Sequence, residues 1–233
     1  MSDTVELVWI TPEAEKLIGK IARVSNPENE NNPNYVKLLK YLIDHKHWSP
    51  YEMASMCLSI HTSRRIAPQI LRHRSFSFQE FSTRYALVDG FVDVNPRSQD
   101  KKNRQSSHDD LSKEDKNWFQ LLKRNLEYDA MKIYKEGLEK GISKETMAFI
   151  LPMSAKTHIF QSGTIRSWIH YIELRTDPAT QLEHREIAEA AKVIFSAELP
   201  TIAEALNWVD ESAPKSQIPA QTPRLDPSGF FHN

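Results

Sequence analysis

Apolar positions change their period along the chain, and each period predicts an element. Residues 4–10 (TVELVWI) are dense in β-branched and aromatic side chains and read as a strand. Ala14, Leu17, Ile18 and Ile21 then recur at helical spacing, so a helix is expected to about Val24, with Thr11 as N-cap and Pro12 in the first turn. Beyond the polar stretch SNPENENNPN, Val36, Leu38, Leu39, Leu42 and Ile43 predict a second helix. From Ala54 to His61 the period falls to two. Ala54, Met56, Leu58 and Ile60 face one way and Ser55, Cys57, Ser59 and His61 the other, as in a half-buried strand.

RRIAPQILRHR predicts a helix with Pro68 in its first turn, followed by an extended run, SFSFQEFSTRYALVDGFVDV. Residues 95–112 hold almost no apolar side chains and are expected to form an exposed, mobile loop. Ser112 with Asp115 resembles a capping box, and Trp118, Leu121, Leu122, Leu126, Met131 and Tyr134 support a long helix ending at Gly141. Ser143 can cap a short helix ending near Leu151-Pro152, and a strand is expected over 156–161. Ile165, Trp168, Ile169 and Ile172 mark one helix face. Leu182, Ile187, Ala190, Ala191 and Ile194 mark another, on a helix expected to start at Asp177-Pro178. The alternation of elements indicates a mixed α and β fold in one domain, 1–210, with a polar, Pro-rich tail over 211–233.

Composition narrows the function classes. In 233 residues, 39% hydrophobic content excludes a disordered chain, and no window approaches the roughly 18 apolar residues of a membrane span. The start, MSDTVELVWI, lacks a basic-then-apolar export signal, so a soluble cytoplasmic protein is expected. Cys57 is the one cysteine, which excludes an internal disulfide and a Cys-rich zinc site. A net charge of −1 provides no whole-surface attraction to nucleic acid or membranes, so any anion must be held by a local cluster.

One such cluster stands out at 69–85, where Arg72, His73, Arg74 and Arg84 are interleaved with Ser75, Ser77, Ser82, Thr83 and three phenylalanines, with Glu80 the single acid. Guanidinium forks suit phosphate, at roughly 1.5–3 kcal/mol per charge-assisted hydrogen bond. A merely solvated basic face has no need of the hydroxyls and aromatics. A nucleic-acid patch, with arginines on phosphates and phenylalanines on bases, remains an alternative that the net charge disfavours.

The order Arg72-His73-Arg74, seven residues, Ser82, then Arg84-Tyr85 resembles the signature of the flavin-dependent thymidylate synthases. Further matches follow the family order: Ala22-Arg23-Val24-Ser25, His47-x-Ser49-Pro50-x-Glu52, Gln69, Leu151-Pro152, Arg166-Ser167, Leu174-Arg175 with Asp177, and Gln181-x-Glu183. They cover roughly residues 20–190. The resemblance implies an α+β fold with a mainly antiparallel sheet flanked by helices. It also implies a homotetramer converting dUMP to dTMP, with methylenetetrahydrofolate as carbon donor and FAD, reduced by NADPH, as hydride carrier. The chain lacks GxGxxG, so FAD would be held by side chains. By motif position His47, Ser49, Arg72, His73, Arg74, Glu80, Thr164, Arg166 and His170 would contact the flavin. Gln69, Arg72, Glu80, Phe81, Ser82, Thr83, Arg84 and Arg175 would bind the nucleotide. Arg175 would act catalytically, stabilising negative charge on the pyrimidine after loss of the N3 proton.

Other readings of the same residues are structural. Cys57 is expected to be a small buried side chain, Phe76, Phe78 and Phe81 core aromatics, and Glu80 an ionised partner of an arginine. His45-x-His47 could be two metal ligands but has no third nearby, so no metal is expected. Two positions depart from the family pattern: Ala148 stands where many relatives have an arginine of the nucleotide site, and Thr164 where they often have asparagine. The first admits a variant chemistry on the same fold, hydroxymethylation or another pyrimidine nucleotide, unless Lys156 or His158 replaces the missing cation.

Overall fold

The computed structural model describes residues 4–30 and 32–208; the expected tail lies outside them. In chain order the elements are β1 (Thr4–Ile10), α1 (Ala14–Ile21), α2 (Val36–Asp44), β2 (Ser55–Ser63), α3 (Ala67–Ile70), β3 (Phe76–Glu80), β4 (Ser98–Gln99) and β5 (Ser107–His108). Then come α4 (Lys113–Glu139), α5 (Lys144–Met147), β6 (Lys156–Thr164), α6 (Ile165–Arg175), α7 (Leu182–Glu198) and α8 (Pro200–Ala205). Four strands make one antiparallel sheet in the order β1-β2-β6-β3, and β4 and β5 form a separate small hairpin.

The core lies on one face of that sheet. Met56, Leu58 and Ile60 of β2 and Ile159 of β6 pack against Ile18 of α1, Leu39 of α2, Trp168 and Ile172 of α6, and Ile187 and Phe195 of α7. Each such side chain, fully buried, contributes roughly 1.5–3 kcal/mol. Trp168 is completely buried and its indole N–H donates to the Met56 carbonyl at 2.9 Å, so the largest core side chain leaves no polar atom unpaired. Phe76 lies against Trp168 with ring centroids 4.8 Å apart, directly over Gly163, where a Cβ would come within 2.4 Å of the Phe76 ring.

Several elements differ from the sequence pattern. β2 is buried nearly throughout, with only His61 exposed: both its edges are paired, and side chains of β6 lie against its second face. There His61 and His158 stack 4.0 Å apart and Ser59 Oγ lies 2.8 Å from His158 Nε2. Thr11 does not cap α1; its hydroxyl accepts from the Ser55 N–H at 2.9 Å and ties β1 to β2, while Glu13 opens the helix with φ 48°. The helix read around Pro68 is a single turn, because the chain must reverse into β3. Asp177-Pro178 forms a turn, with Asp177 accepting from the Ala179 N–H, and α7 starts only at Leu182.

The long helix is confirmed at both ends. Ser112 Oγ accepts from the Asp115 N–H at 3.0 Å, and Gly141, at φ 83°, closes the C-terminus with the Ile142 N–H bonded to the Gly137 carbonyl. Its apolar stripe is not core, however: Trp118, Leu121, Leu122 and Leu126 are exposed in the single chain.

Candidate active site

The chain enters α6 straight from β6, and Thr164 makes that junction. Its hydroxyl accepts from the Ser167 N–H at 3.2 Å, a side-chain cap on the first turn. The 3.6-residue period then sends Ile165, Trp168, Ile169 and Ile172 inward and brings Arg166, His170 and Glu173 onto an exposed stripe. These three, with Trp48, Glu52 and Ser75, line a cavity of about 530 Å³. Arg166 is ion-paired with Glu52 across it.

A second cavity, of about 710 Å³, lies further along the same helix. It contains Gln69, Arg65, Arg97, Arg104 and Arg175, and Glu173 lines both cavities. One helix therefore carries part of the expected flavin set at its start and the expected catalytic arginine at its last residue.

Arg175 is half-buried and directed by a histidine. Its Nε–H donates to His73 Nε2 at 2.8 Å, so that ring nitrogen accepts and His73 is neutral. Burial first, then the charges of Arg175 and His170, push the His73 pKa down to about 4. Behind it His184 is fully buried and, by burial and then the same guanidinium and His73, is pushed down to about 3, with its Nε2 3.1 Å from the Tyr171 hydroxyl. Among the described residues the Nη groups of Arg175 have no hydrogen-bond partner, leaving most of the fork available to a ligand.

The other expected residues divide into those near α6 and those away from it. His47 and Ser49 follow α2, whose end is a Schellman turn: Lys46 adopts φ 56°, and the His47 N–H reaches the Leu42 carbonyl at 2.8 Å. Both side chains are exposed, as are Arg72 and Arg74, which join none of the ion pairs among the described residues. Glu80 accepts from Arg64 and from the Thr157 hydroxyl, each at 2.8 Å, and Arg64 also donates to the Phe81 carbonyl. The arginine that partners Glu80 is thus not one of the 72–84 cluster. Ser82 accepts from the Arg84 N–H in the turn that also holds Thr83, and the Arg84 side chain pairs with Glu145 of α5 at 2.9 Å.

Arg74 and Arg84 line neither cavity, so one chain does not gather Arg74, Arg84 and Arg175 around a common space, and the segment 72–85 does not form one basic face. Phe76 is core, as expected, while Phe78 and Phe81 are half-buried. Cys57 is buried in β2, and burial pushes its thiol up. Four site residues had no role assigned from the sequence: Arg65, Arg97, Arg104 and Glu173. Glu173 was legible as the i+3 neighbour of His170; the arginines had no signal, since Arg97 just precedes β4 and Arg104 lies in the loop joining β4 to β5, a hairpin that periodicity does not reveal.

Comparison with known proteins identifies the family. Residues 6–201 match the family model described as thymidylate synthase complementing protein. A Paramecium bursaria Chlorella virus 1 protein named a probable flavin-dependent thymidylate synthase is 54% identical over 201 residues, covering 84% of this chain and 92% of the relative. The Synechocystis sp. flavin-dependent thymidylate synthase is 51% identical over 194 residues, 83% of this chain and 90% of that protein. Among solved structures, the UMP/dUMP methylase PolB from Streptomyces cacaoi bound with 5-Br dUMP superimposes with a TM-score of 0.79 at 26% identity, over 88% of this chain and 95% of that one. With a family model matched over most of its length and relatives more than half identical to it, the chain belongs to the flavin-dependent thymidylate synthase family.

Proposed function

We propose that this chain is a flavin-dependent thymidylate synthase that methylates dUMP to dTMP with FAD, taking its carbon from methylenetetrahydrofolate and its reducing equivalents from NADPH. The observation that carries the reading is the pair of cavities meeting at Glu173, one with Arg166 and His170, the other with Gln69 and Arg175. Two ligands placed in them are neighbours along α6. The residues present fit FAD by their chemistry: Trp48 and Ile169 supply apolar wall and Arg166 and His170 polar contacts, while Arg72 and Arg74, exposed and in no ion pair among the described residues, offer guanidinium forks of the kind that suit a diphosphate. His47 and Ser49 are held beside Trp48 by the turn after α2.

When bound and reduced, the flavin supplies a hydride; the chain's own residues bind and polarise the nucleotide. Arg175 places a guanidinium where negative charge develops on the pyrimidine as C5 reacts. Neutral His73 holds the Nε side of that fork, which costs the site no reorganisation during reaction. Cys57, buried in the sheet and outside both cavities, is not positioned to attack the base. Residues Glu80 to Arg84 line neither cavity in one chain. That placement, together with exposed Tyr85, Phe149 and the α4 stripe, supports a homotetramer in which a second copy completes each nucleotide site.

Release of tritium from C5 of labelled dUMP, with methylenetetrahydrofolate, NADPH and FAD present, tests the reading. Release with formation of dTMP is expected, and retained label in a yellow, dUMP-binding protein would refute it. A variant reading, methylation of UMP as well, is favoured by Ala148 and by the PolB likeness; the mass of the product from each nucleotide decides between them.

A further inference from the structure

A chain of four side chains runs from the polar loop to the nucleotide cavity. Arg97 is mostly buried, and all three of its nitrogens are used: Nε to Ser107 Oγ at 3.0 Å, Nη1 to the Asn95 carbonyl at 3.1 Å, and Nη2 to Glu183 Oε1 at 2.8 Å. The other oxygen of Glu183 accepts from Gln181 Nε2 at 2.9 Å, and Gln181 Oε1 accepts from Gln69 Nε2 at 2.7 Å. Gln69, Gln181 and Arg97 all line the 710 Å³ cavity.

The polarity of this chain is set at its charged end. An ionised carboxylate only accepts hydrogen bonds, so Gln181 must turn its amide nitrogen toward Glu183 and its carbonyl toward Gln69. Gln69 must then turn its own nitrogen to Gln181, which leaves its carbonyl oxygen without a hydrogen bond among the described residues. Burial alone would raise the pKa of Glu183, but its backbone N–H, the Arg97 hydrogen bond and the Gln181 amide outweigh that and hold it below the ordinary value. A free glutamine can flip to suit either an acceptor or a donor; this one is held as an acceptor.

We infer that Arg97, Glu183 and Gln181 are positioning residues that lock the Gln69 amide with its carbonyl facing the nucleotide, and that this lock selects uracil over cytosine. The inference rests on the reading that dUMP occupies this cavity. The uracil edge presents acceptor, donor, acceptor (O2, N3–H, O4). Arg175 offers donors only, so the N3–H needs an acceptor from another group, which Gln69 supplies. Cytosine has an acceptor at N3 where uracil has a donor, so it meets like against like at Gln69. An acceptor at N3 engages the proton of the base as it binds, and Arg175 can then stabilise the charge left when that proton leaves.

The test is the ratio of dissociation constants for dUMP and dCMP, measured calorimetrically on the FAD-loaded enzyme. The wild type is expected to prefer dUMP. Glu183→Gln replaces the carboxylate with an amide that can donate to Gln181, so both glutamines can reverse, and the preference should fall about tenfold, the worth of one hydrogen bond. Arg97→Ala should lower it in the same direction, and Arg97→Lys, which restores the cation beside Glu183, should recover part of it. Equal weakening of both nucleotides in Glu183→Gln, with the ratio unchanged, would mean a merely structural role and would overturn the inference. Wild-type enzyme that binds no dUMP would remove the functional reading and the inference with it.

Discussion

Acidification should destabilise this protein through two histidines beside Arg175. In the folded chain His73 titrates at about 4 and His184 at about 3, against 6.5 when unfolded. Both folded values lie below the unfolded one, so between about pH 6.5 and 4 the unfolded state binds more protons. Stability is therefore present above pH 6.5 and lost as pH falls. The loss is about 1.4 kcal/mol per pH unit per histidine in that window. From pH 8 to pH 5 the fully buried His184 removes about 2 kcal/mol, and half-buried His73 less, because solvent screens it. The pair removes about 4 kcal/mol as a ceiling, a large share of the roughly 5–15 kcal/mol that holds a typical domain. His158, whose pKa is lowered by burial and by His61, acts in the same direction. The assay is urea unfolding of the FAD-saturated enzyme at pH 8, 6.5 and 5 and constant protein concentration, with His184→Gln as the control. The amide introduced there cannot titrate but keeps a polar group for the Tyr171 hydroxyl, so the variant should lose about 2 kcal/mol of the pH dependence. Equal urea midpoints at pH 8 and 5, or a variant as acid-sensitive as the wild type, would refute the assignment of buried neutral histidines.

Three further outcomes are expected. Arg175→Ala should lower turnover by more than about tenfold while FAD stays bound, whereas Arg74→Ala should release FAD on gel filtration; the reverse pattern would exchange their roles. Thr164→Ala removes the cap of α6 and should cost about 1 kcal/mol of stability by thermal or urea unfolding, with FAD affinity unchanged; lost FAD at unchanged stability would make Thr164 a cofactor ligand instead. Gly163→Ala puts a methyl group into the Phe76 ring and should destabilise by about 1–3 kcal/mol, and a variant as stable as the wild type would mean that Phe76 moves aside freely.

The family and the axis of the site were both legible before any coordinates. Arg166, His170 and Arg175 recur on one helix whose inward face, Ile165, Trp168, Ile169 and Ile172, is explicit in the period, so their placement along α6 follows from local geometry. Caps behaved the same way: Ser112, Ser143 and Gly141 end their helices where their chemistry says they should. The errors were also systematic. Thr11 looked like a cap and instead ties two strands, because its partner Ser55 is 44 residues away. The alternation of β2 indicated one wet face, and on that face His158 of β6 packs against Ser59 and His61, leaving only His61 exposed.

What the amino-acid sequence determined alone is what depends on neighbours within a few residues: the period of each element, its caps, and the set of side chains that can hold phosphate and flavin. Tertiary structure decided the pairings. Arg175 meets His73 across 102 residues and Gln69 meets Gln181 across 112, while Arg84 is drawn off to Glu145. No local pattern encodes those partners, because each contact follows from how the sheet and helices pack. The direction in which a side-chain amide or guanidinium points is the last consequence of that packing.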